Sequence, residues 1–81
     1  MMDVIIVDDE PAARRTVREC CERETDLRVV GEFGDPRMAL EAIRRQQPAV
    51  LFLDIQMDSM TGMALARALD AENLPLIVFV T

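Results

Sequence analysis

The sequence predicts an α/β domain, a parallel four-stranded sheet in three layers with helices on both faces. Apolar runs rich in Val, Ile and Leu recur at Val4–Val7, Val50–Leu53 and Leu76–Val80. Runs this short, with no polar alternation, read as strands buried on both faces. Helical patterns separate them, as crossovers between parallel strands require. Each run also closes on a polar group, Asp8-Asp9, Asp54 and Thr81. Those groups collect at the C-terminal edge of the sheet, where open parallel sheets bind their ligands.

Strand one covers about residues 3–8. Pro11 suits the first turn of helix one, where its missing N–H is not needed, and Asp9 or Glu10 can cap. Ala13, Val17 and Cys20 follow at helical spacing, with Cys21 as a secondary member of the stripe and Arg14, Arg15, Arg18, Glu19 and Glu22 around them. Strand two, Leu27–Phe33, carries Arg28 and Glu32, and charges of this kind mark an edge protected from stray pairing. Asp35-Pro36 is an N-cap followed by a first-turn proline. Met38, Ala39, Leu40, Ala42 and Ile43 supply the stripe of helix two, Arg44-Arg45 favour its C-terminal dipole, and Pro48 stops it. Strand three covers about 50–54, and a loop from Ile55 to Met60 leads into helix three around Met63, Ala64, Leu65, Ala66 and Leu69. Asn73 and Pro75 punctuate the approach to strand four, 76–80. The order is βαβαβαβ, and right-handed crossovers place helices on both faces. With strand two outside strand one, the sheet has the flavodoxin-like order 2-1-3-4, and a crevice opens between strands one and three.

Eighty-one residues make one small domain, without repeats or a linker. Hydrophobic residues are 51% of the chain and charged ones 30%, the balance of a folded globular protein. No apolar run approaches the ~18–20 residues of a membrane span. The opening Met-Met-Asp lacks the basic flank of a secretory signal, so a cytoplasmic location is expected. The net charge of −6 argues against direct nucleic-acid binding by this chain, because phosphate contacts need a basic face. All nine basic residues are arginine, and there is no histidine, which excludes a histidine phosphocarrier, a histidine general base and histidine metal ligands. Cys20-Cys21 read as small core or boundary residues, reduced in the cytosol.

Three carboxylates brought to one strand edge call for a divalent cation or a shared proton, because unneutralised like charges at short range are costly. Magnesium takes hard oxygen ligands and keeps several waters. Asp9 and Asp54 suit direct ligation, Asp8 direct or through water, and a loop carbonyl, most naturally that of Gln56, can fill another position. An aspartate can also act as a nucleophile toward phosphorus. The Thr81 hydroxyl can bond a phosphoryl oxygen at the neighbouring strand end. Gly62 reads as a loop or first-turn residue, and Met57, Met60 and Met63 as core and loop filler.

Val4-Ile5-Ile6-Val7-Asp8-Asp9-Glu10-Pro11, together with Leu51-Phe52-Leu53-Asp54-Ile55-Gln56-Met57, resembles the receiver domain of two-component response regulators, a CheY-like fold, over all 81 residues. The Asp-Asp-Glu-Pro opening followed by Ala-Ala-Arg is similar to receivers that precede LytTR-type DNA-binding domains. The resemblance implies that Asp54 is the phosphoacceptor and that a sensor histidine kinase is its donor. It implies that Asp8 and Asp9 with Asp54 and the Gln56 carbonyl hold Mg2+, that Thr81 is the switch hydroxyl, and that Gly62 is the glycine after the acceptor loop. It further implies a phosphoprotein that controls transcription through an output domain, and is not itself an enzyme.

Departures from the family accompany the resemblance. Met57-Asp58 stands where the family has Met-Pro, adding a negative charge. The chain stops at strand four, lacking helix four, strand five and helix five, and no lysine is present to serve as the strand-five lysine. With one edge of the sheet uncovered, self-association through strand four as a homodimer or larger assembly is expected. Two other functions compete: a truncated receiver acting as a non-phosphorylated dimerisation or interaction module, and a Mg-dependent phosphohydrolase. The second needs a D-x-D nucleophile motif, whereas Asp8-Asp9-Glu10 has no aspartate two positions after the first.

Overall fold

The computed structural model describes residues 1–55, 62–69 and 74–80. Four strands and three helices alternate along the chain: β1 (Met2–Val7), α1 (Pro11–Glu22), β2 (Leu27–Phe33), α2 (Pro36–Gln46), β3 (Val50–Asp54), α3 (Gly62–Arg67) and β4 (Leu76–Val80). All three strand pairings are parallel, and the order is β2-β1-β3-β4. This is the arrangement expected from the sequence, with the charged β2 at an edge.

The central strands are buried on both sides because their side chains alternate between two packed layers. Ile5, Val7, Leu51 and Leu53 point to one face, where they meet Ala39, Ala42 and Ile43 of α2 and Leu65 of α3. Val4, Ile6 and Val50 point to the other face and meet Cys21 of α1, with Val17, Leu27 and Phe52 at the margin. Val4, Ile5, Val7, Leu51 and Leu53 are fully shielded from solvent. Each such side chain contributes roughly 1.5–3 kcal/mol relative to exposure, so this pair of strands is the rigid centre of the molecule.

The helix termini follow the sequence in one case and depart from it in another. Asp35 caps α2, its side chain accepting the Arg37 N–H at 2.9 Å, and Pro36 sits in the first turn. Glu10 occupies the corresponding position of α1, but its side chain makes no capping bond. The N–H of Glu10 itself is taken by the Asp8 carboxylate at 2.9 Å, a side-chain turn just ahead of the helix. On α1 the buried cysteine is Cys21, whereas Cys20 is exposed. Cys21 lies four residues after Val17 and shares its face, which corrects the sequence expectation that favoured Cys20. Met38 and Met63 also prove exposed; on α2 it is Ala39, Ala42 and Ile43 that face the sheet.

One feature of β2 has no signal in apolar spacing. Val4 pairs with Val29 but Ile5 pairs with Gly31, so Val30 is an extra residue and the strand bulges. The bulge shifts the alternation by one position. Val29 faces the α1 side, Val30 and Phe33 pack with the α2 side, and Glu32 comes back to α1, where its carboxylate meets the Arg18 guanidinium at 2.7 Å. At the opposite edge, β4 exposes Leu76, Val78 and Phe79, while Ile77 packs against the α2 layer. Among the described residues, no helix is long and apolar enough to cross a membrane.

Candidate functional site

The register of the two central strands builds the site. Val7 pairs with Leu53, so the residues that follow each, Asp8 and Asp54, emerge side by side at the C-terminal edge. Asp9 continues from Asp8, and each of the three carboxylates offers an oxygen within 4.8 Å of the others. Asp8 is only 6% exposed, and Asp9 and Asp54 are half-buried. Solvated surface acids need no special explanation, but a buried carboxylate facing two others does.

Asp8 is held at each of its polar groups. Its N–H donates to the Phe33 carbonyl at 3.0 Å, one carboxylate oxygen accepts the Glu10 N–H at 2.9 Å, and its carbonyl accepts from Nη1 of Arg14 at 2.6 Å. Burial pushes the Asp8 carboxyl above its ordinary value and the Glu10 N–H bond pulls it back. The charges of Asp54 and then Asp9 push it up again, as does the side-chain hydrogen bond between Asp8 and Asp54.

Gly62 fixes the far side of the site. Its N–H donates to the Ile55 carbonyl at 2.7 Å. A β-carbon built there would collide with the Asp54 carbonyl oxygen and lie 2.9 Å from the Ile55 α-carbon. The start of α3 therefore rests directly on the backbone that carries Asp54, an approach that only glycine allows.

The donor set fits magnesium. It is all oxygen, acidic and partly buried, without the nitrogen or sulfur ligands that favour softer metals. Magnesium–oxygen bonds of about 2.0–2.1 Å put two ligand oxygens at most ~4.2 Å apart, so the cluster closes with sub-ångström side-chain shifts or with one carboxylate acting through water. Of the residues singled out in the sequence, Asp8, Asp9 and Asp54 come together. The Gln56 carbonyl, the Thr81 hydroxyl and the Met57-Asp58 segment lie outside the described residues. Sequence reasoning missed Arg14 as a neighbour of the site. A helical side chain leans toward the N-terminus of its helix, so a long residue early in α1 reaches back to the end of β1.

A family model for the response regulator receiver domain matches residues 4–81. The chain is 48% identical over its whole length to an uncharacterized response regulatory protein of Yersinia pestis and 42% identical to the transcriptional regulatory protein BtsR of Escherichia coli, spanning 34% of each. Among solved structures, the receiver domain of AraT, a response regulator from Geobacillus stearothermophilus, superposes with a TM-score of 0.82 at 34% identity. That match covers 96% of this chain and 62% of AraT's. The isolated receiver domain of RcsB from Salmonella enterica serovar Typhimurium, solved in the presence of the phosphomimetic BeF3−, gives 0.81 at 27% identity, covering 96% and 58%. The present chain is thus shorter than these receiver domains.

Two expected outcomes follow from the geometry. Because the Asp8 carboxyl titrates above its unfolded value, its contribution to stability is complete at low pH and is lost as the pH rises through the raised value. At neutral pH, ionised Asp8 therefore opposes folding. Asp8→Asn should raise the melting temperature of the metal-free chain, by about 4–8 °C for each kcal/mol relieved. The gap from wild type should narrow as the pH falls through the carboxylate range, and an Asp8→Asn chain melting at or below wild type at neutral pH contradicts this. Gly62→Ala should lower stability by roughly 1–3 kcal/mol through backbone crowding, read as a lower urea midpoint; an unchanged midpoint would show that α3 moves freely off Asp54.

Proposed function

Since the chain belongs to the response regulator receiver domain family, we propose that it accepts a phosphoryl group on Asp54 from the phosphohistidine of a sensor histidine kinase, with Mg2+ at Asp8, Asp9 and Asp54. The observation that carries this is the convergence of those three carboxylates at the end of the β1–β3 pair, one of them buried. A carboxylate oxygen of Asp54 attacks phosphorus as the bond from phosphorus to the histidine nitrogen breaks, leaving an acyl phosphate on the chain. Bound Mg2+ supplies charge neutralisation and Lewis-acid stabilisation of the phosphoryl oxygens.

The chain's own residues have separate roles in this scheme. Asp8 is locked by its backbone and by Glu10, so it presents a fixed carboxylate instead of following the incoming group. Asp9 is less buried and adjusts more easily. Gly62 lets α3 lie against the Asp54 backbone, which limits the paths by which Asp54 can move. In the same proposal the Gln56 backbone carbonyl is a further metal ligand, and the Thr81 hydroxyl is a switch group that bonds the phosphoryl oxygens. The acyl phosphate carries about −1.5 to −2 charges where the carboxylate carried −1, a net gain on an already acidic edge, and relief of that repulsion drives the conformational response. The phosphoryl group ends on the chain itself, so the domain acts as a signal acceptor and not as an enzyme with a released product.

We place the protein in the cytoplasm as the N-terminal portion of a receiver, residues 1–81, in a longer transcriptional regulator. BtsR is named as such a regulator, and the chain spans 34% of its length. DNA contact would belong to an output domain, of LytTR type by the sequence resemblance, because this segment carries a net charge of −6.

Incubation with acetyl phosphate and Mg2+ should give one phosphoryl adduct by intact mass, absent in Asp54→Ala and absent when Mg2+ is chelated. BeF3− should perturb the amide resonances of Asp8, Asp9 and Asp54 only when Mg2+ is present. An adduct that survives Asp54→Ala removes the assignment. A second outcome concerns the exposed apolar edge of β4, where Leu76, Val78 and Phe79 face solvent. The 81-residue chain should self-associate through that strand, giving a dimer or larger species by light scattering at micromolar concentration, and Phe79→Lys should shift it toward monomer. A monomeric wild-type chain would refute this.

A further inference from the structure

The contact between Arg14 and the Asp8 backbone has no part in the scheme above, yet it joins three segments at the edge of the site. Nη1 of Arg14 donates to the Asp8 carbonyl at 2.6 Å. The backbone N–H of Arg14 donates to the Glu10 carbonyl at 3.1 Å, which anchors the residue in the first turn of α1. The third segment is the turn between β2 and α2. A β-carbon built on Gly34 would lie 3.0 Å from Nη1 of Arg14 and 3.9 Å from the Asp8 carbonyl oxygen. Gly34 does not have a positive φ, so the site tolerates alanine in its backbone and is constrained only by the guanidinium.

Among the described residues Arg14 makes no carboxylate ion pair, unlike Arg18 and Arg28, which bond Glu32 and Asp3. Its charge is used on a peptide carbonyl. A charge-assisted bond of that length fixes the plane of the peptide between Asp8 and Asp9. That plane sets the direction in which Asp9 leaves the strand, and so the spacing of the Asp9 carboxylate from Asp8 and Asp54.

We infer that Arg14, seated against Gly34, is a positioning residue that sets the Asp8–Asp9 peptide and thereby the metal affinity of the acidic site. The inference deepens the receiver assignment and rests on it. Outer-shell groups of this kind commonly change metal affinity by about 10–100-fold when removed. Arg14 touches neither metal nor phosphorus in this role. It acts through the backbone of Asp8, so the apolar isostere Arg14→Met should weaken Mg2+ binding while the strands stay folded.

The test is a Mg2+ titration of the 81-residue chain by calorimetry and by amide shifts, since the chain has no Trp or Tyr to report binding optically. Wild type should saturate. Arg14→Met should raise the dissociation constant at least ~10-fold, with the amide spectrum altered only around residues 8–10 and 34. Arg14→Lys, which keeps a charged donor, should recover most of the affinity. Gly34→Ala should weaken binding in the wild-type background and have no effect in the Arg14→Met background, a coupling that mere loss of stability would not produce. A wild-type chain that binds Mg2+ beside an Arg14→Met chain of equal affinity overturns the inference alone, as does an additive Gly34→Ala effect. A wild-type chain that does not bind Mg2+ overturns the receiver assignment of the metal site and this inference together.

Discussion

The pairing of Val7 with Leu53 in parallel register places Asp8 and Asp54 shoulder to shoulder. Because neighbouring strands lie about 4.7–4.9 Å apart, two carboxylates leaving adjacent strands at the same level cannot avoid each other. A slip of one residue would send one of them to the opposite face of the sheet, so the site requires this register and no other. The register is enforced from below: Val4, Ile5, Val7, Leu51 and Leu53 are fully shielded, and Ile5 packs toward α2 while Val4 packs toward α1. Sliding β3 along β1 would exchange those two layers and expose both. Hydrophobic burial in the sheet therefore holds together charges that repel one another at its end.

That conflict gives the site its chemistry. A sheet edge carrying three carboxylates is less stable than one carrying amides, and burial raises the cost at Asp8. Among the described residues, Arg14 bonds the Asp8 carbonyl and not its carboxylate. In the proposed scheme the carboxylate cluster is neutralised by a diffusible cation, which can enter and leave with the phosphoryl group. A fixed arginine on the carboxylates would have stabilised the fold and occupied the ligand positions.

Much of this is legible in the sequence, and the limits have physical causes. β3 can be bounded from its apolar run because a strand buried on both faces tolerates no polar residue, so its first aspartate marks the end. β4 has the same kind of run, but the structure leaves Leu76, Val78 and Phe79 exposed, which corrects the double burial expected of it. The sheet order follows from handedness and the charged β2. What escapes is whatever depends on a single extra residue or a single long side chain. The bulge at Val30 leaves no trace in hydropathy, because Val29, Val30 and Gly31 are compatible with either face. The exchange of roles between Cys20 and Cys21 turns on about 100° of helix rotation, which apolar spacing does not fix when both neighbours are the same residue. Arg14 looks like one more solvated arginine until the end of β1 is in place.

The same geometry argues for where a phosphoryl group at Asp54 can act. On the β1 side, Asp8 is tied through its N–H to β2, through its carbonyl to α1 and through its carboxylate to Glu10, and motion there would break several bonds at once. On the other side, Asp54 continues into the backbone on which Gly62 rests, and β3 hands on to β4, whose Leu76, Val78 and Phe79 remain exposed. Among the described residues, that edge strand is the more exposed one, and low local packing is where proteins open and shift. Added charge at Asp54 should therefore be felt along α3 and β4 while β1, β2 and α1 stay in place. In the proposed scheme the rigid acidic wall and the exposed edge divide the work: one would hold the cation, the other would respond.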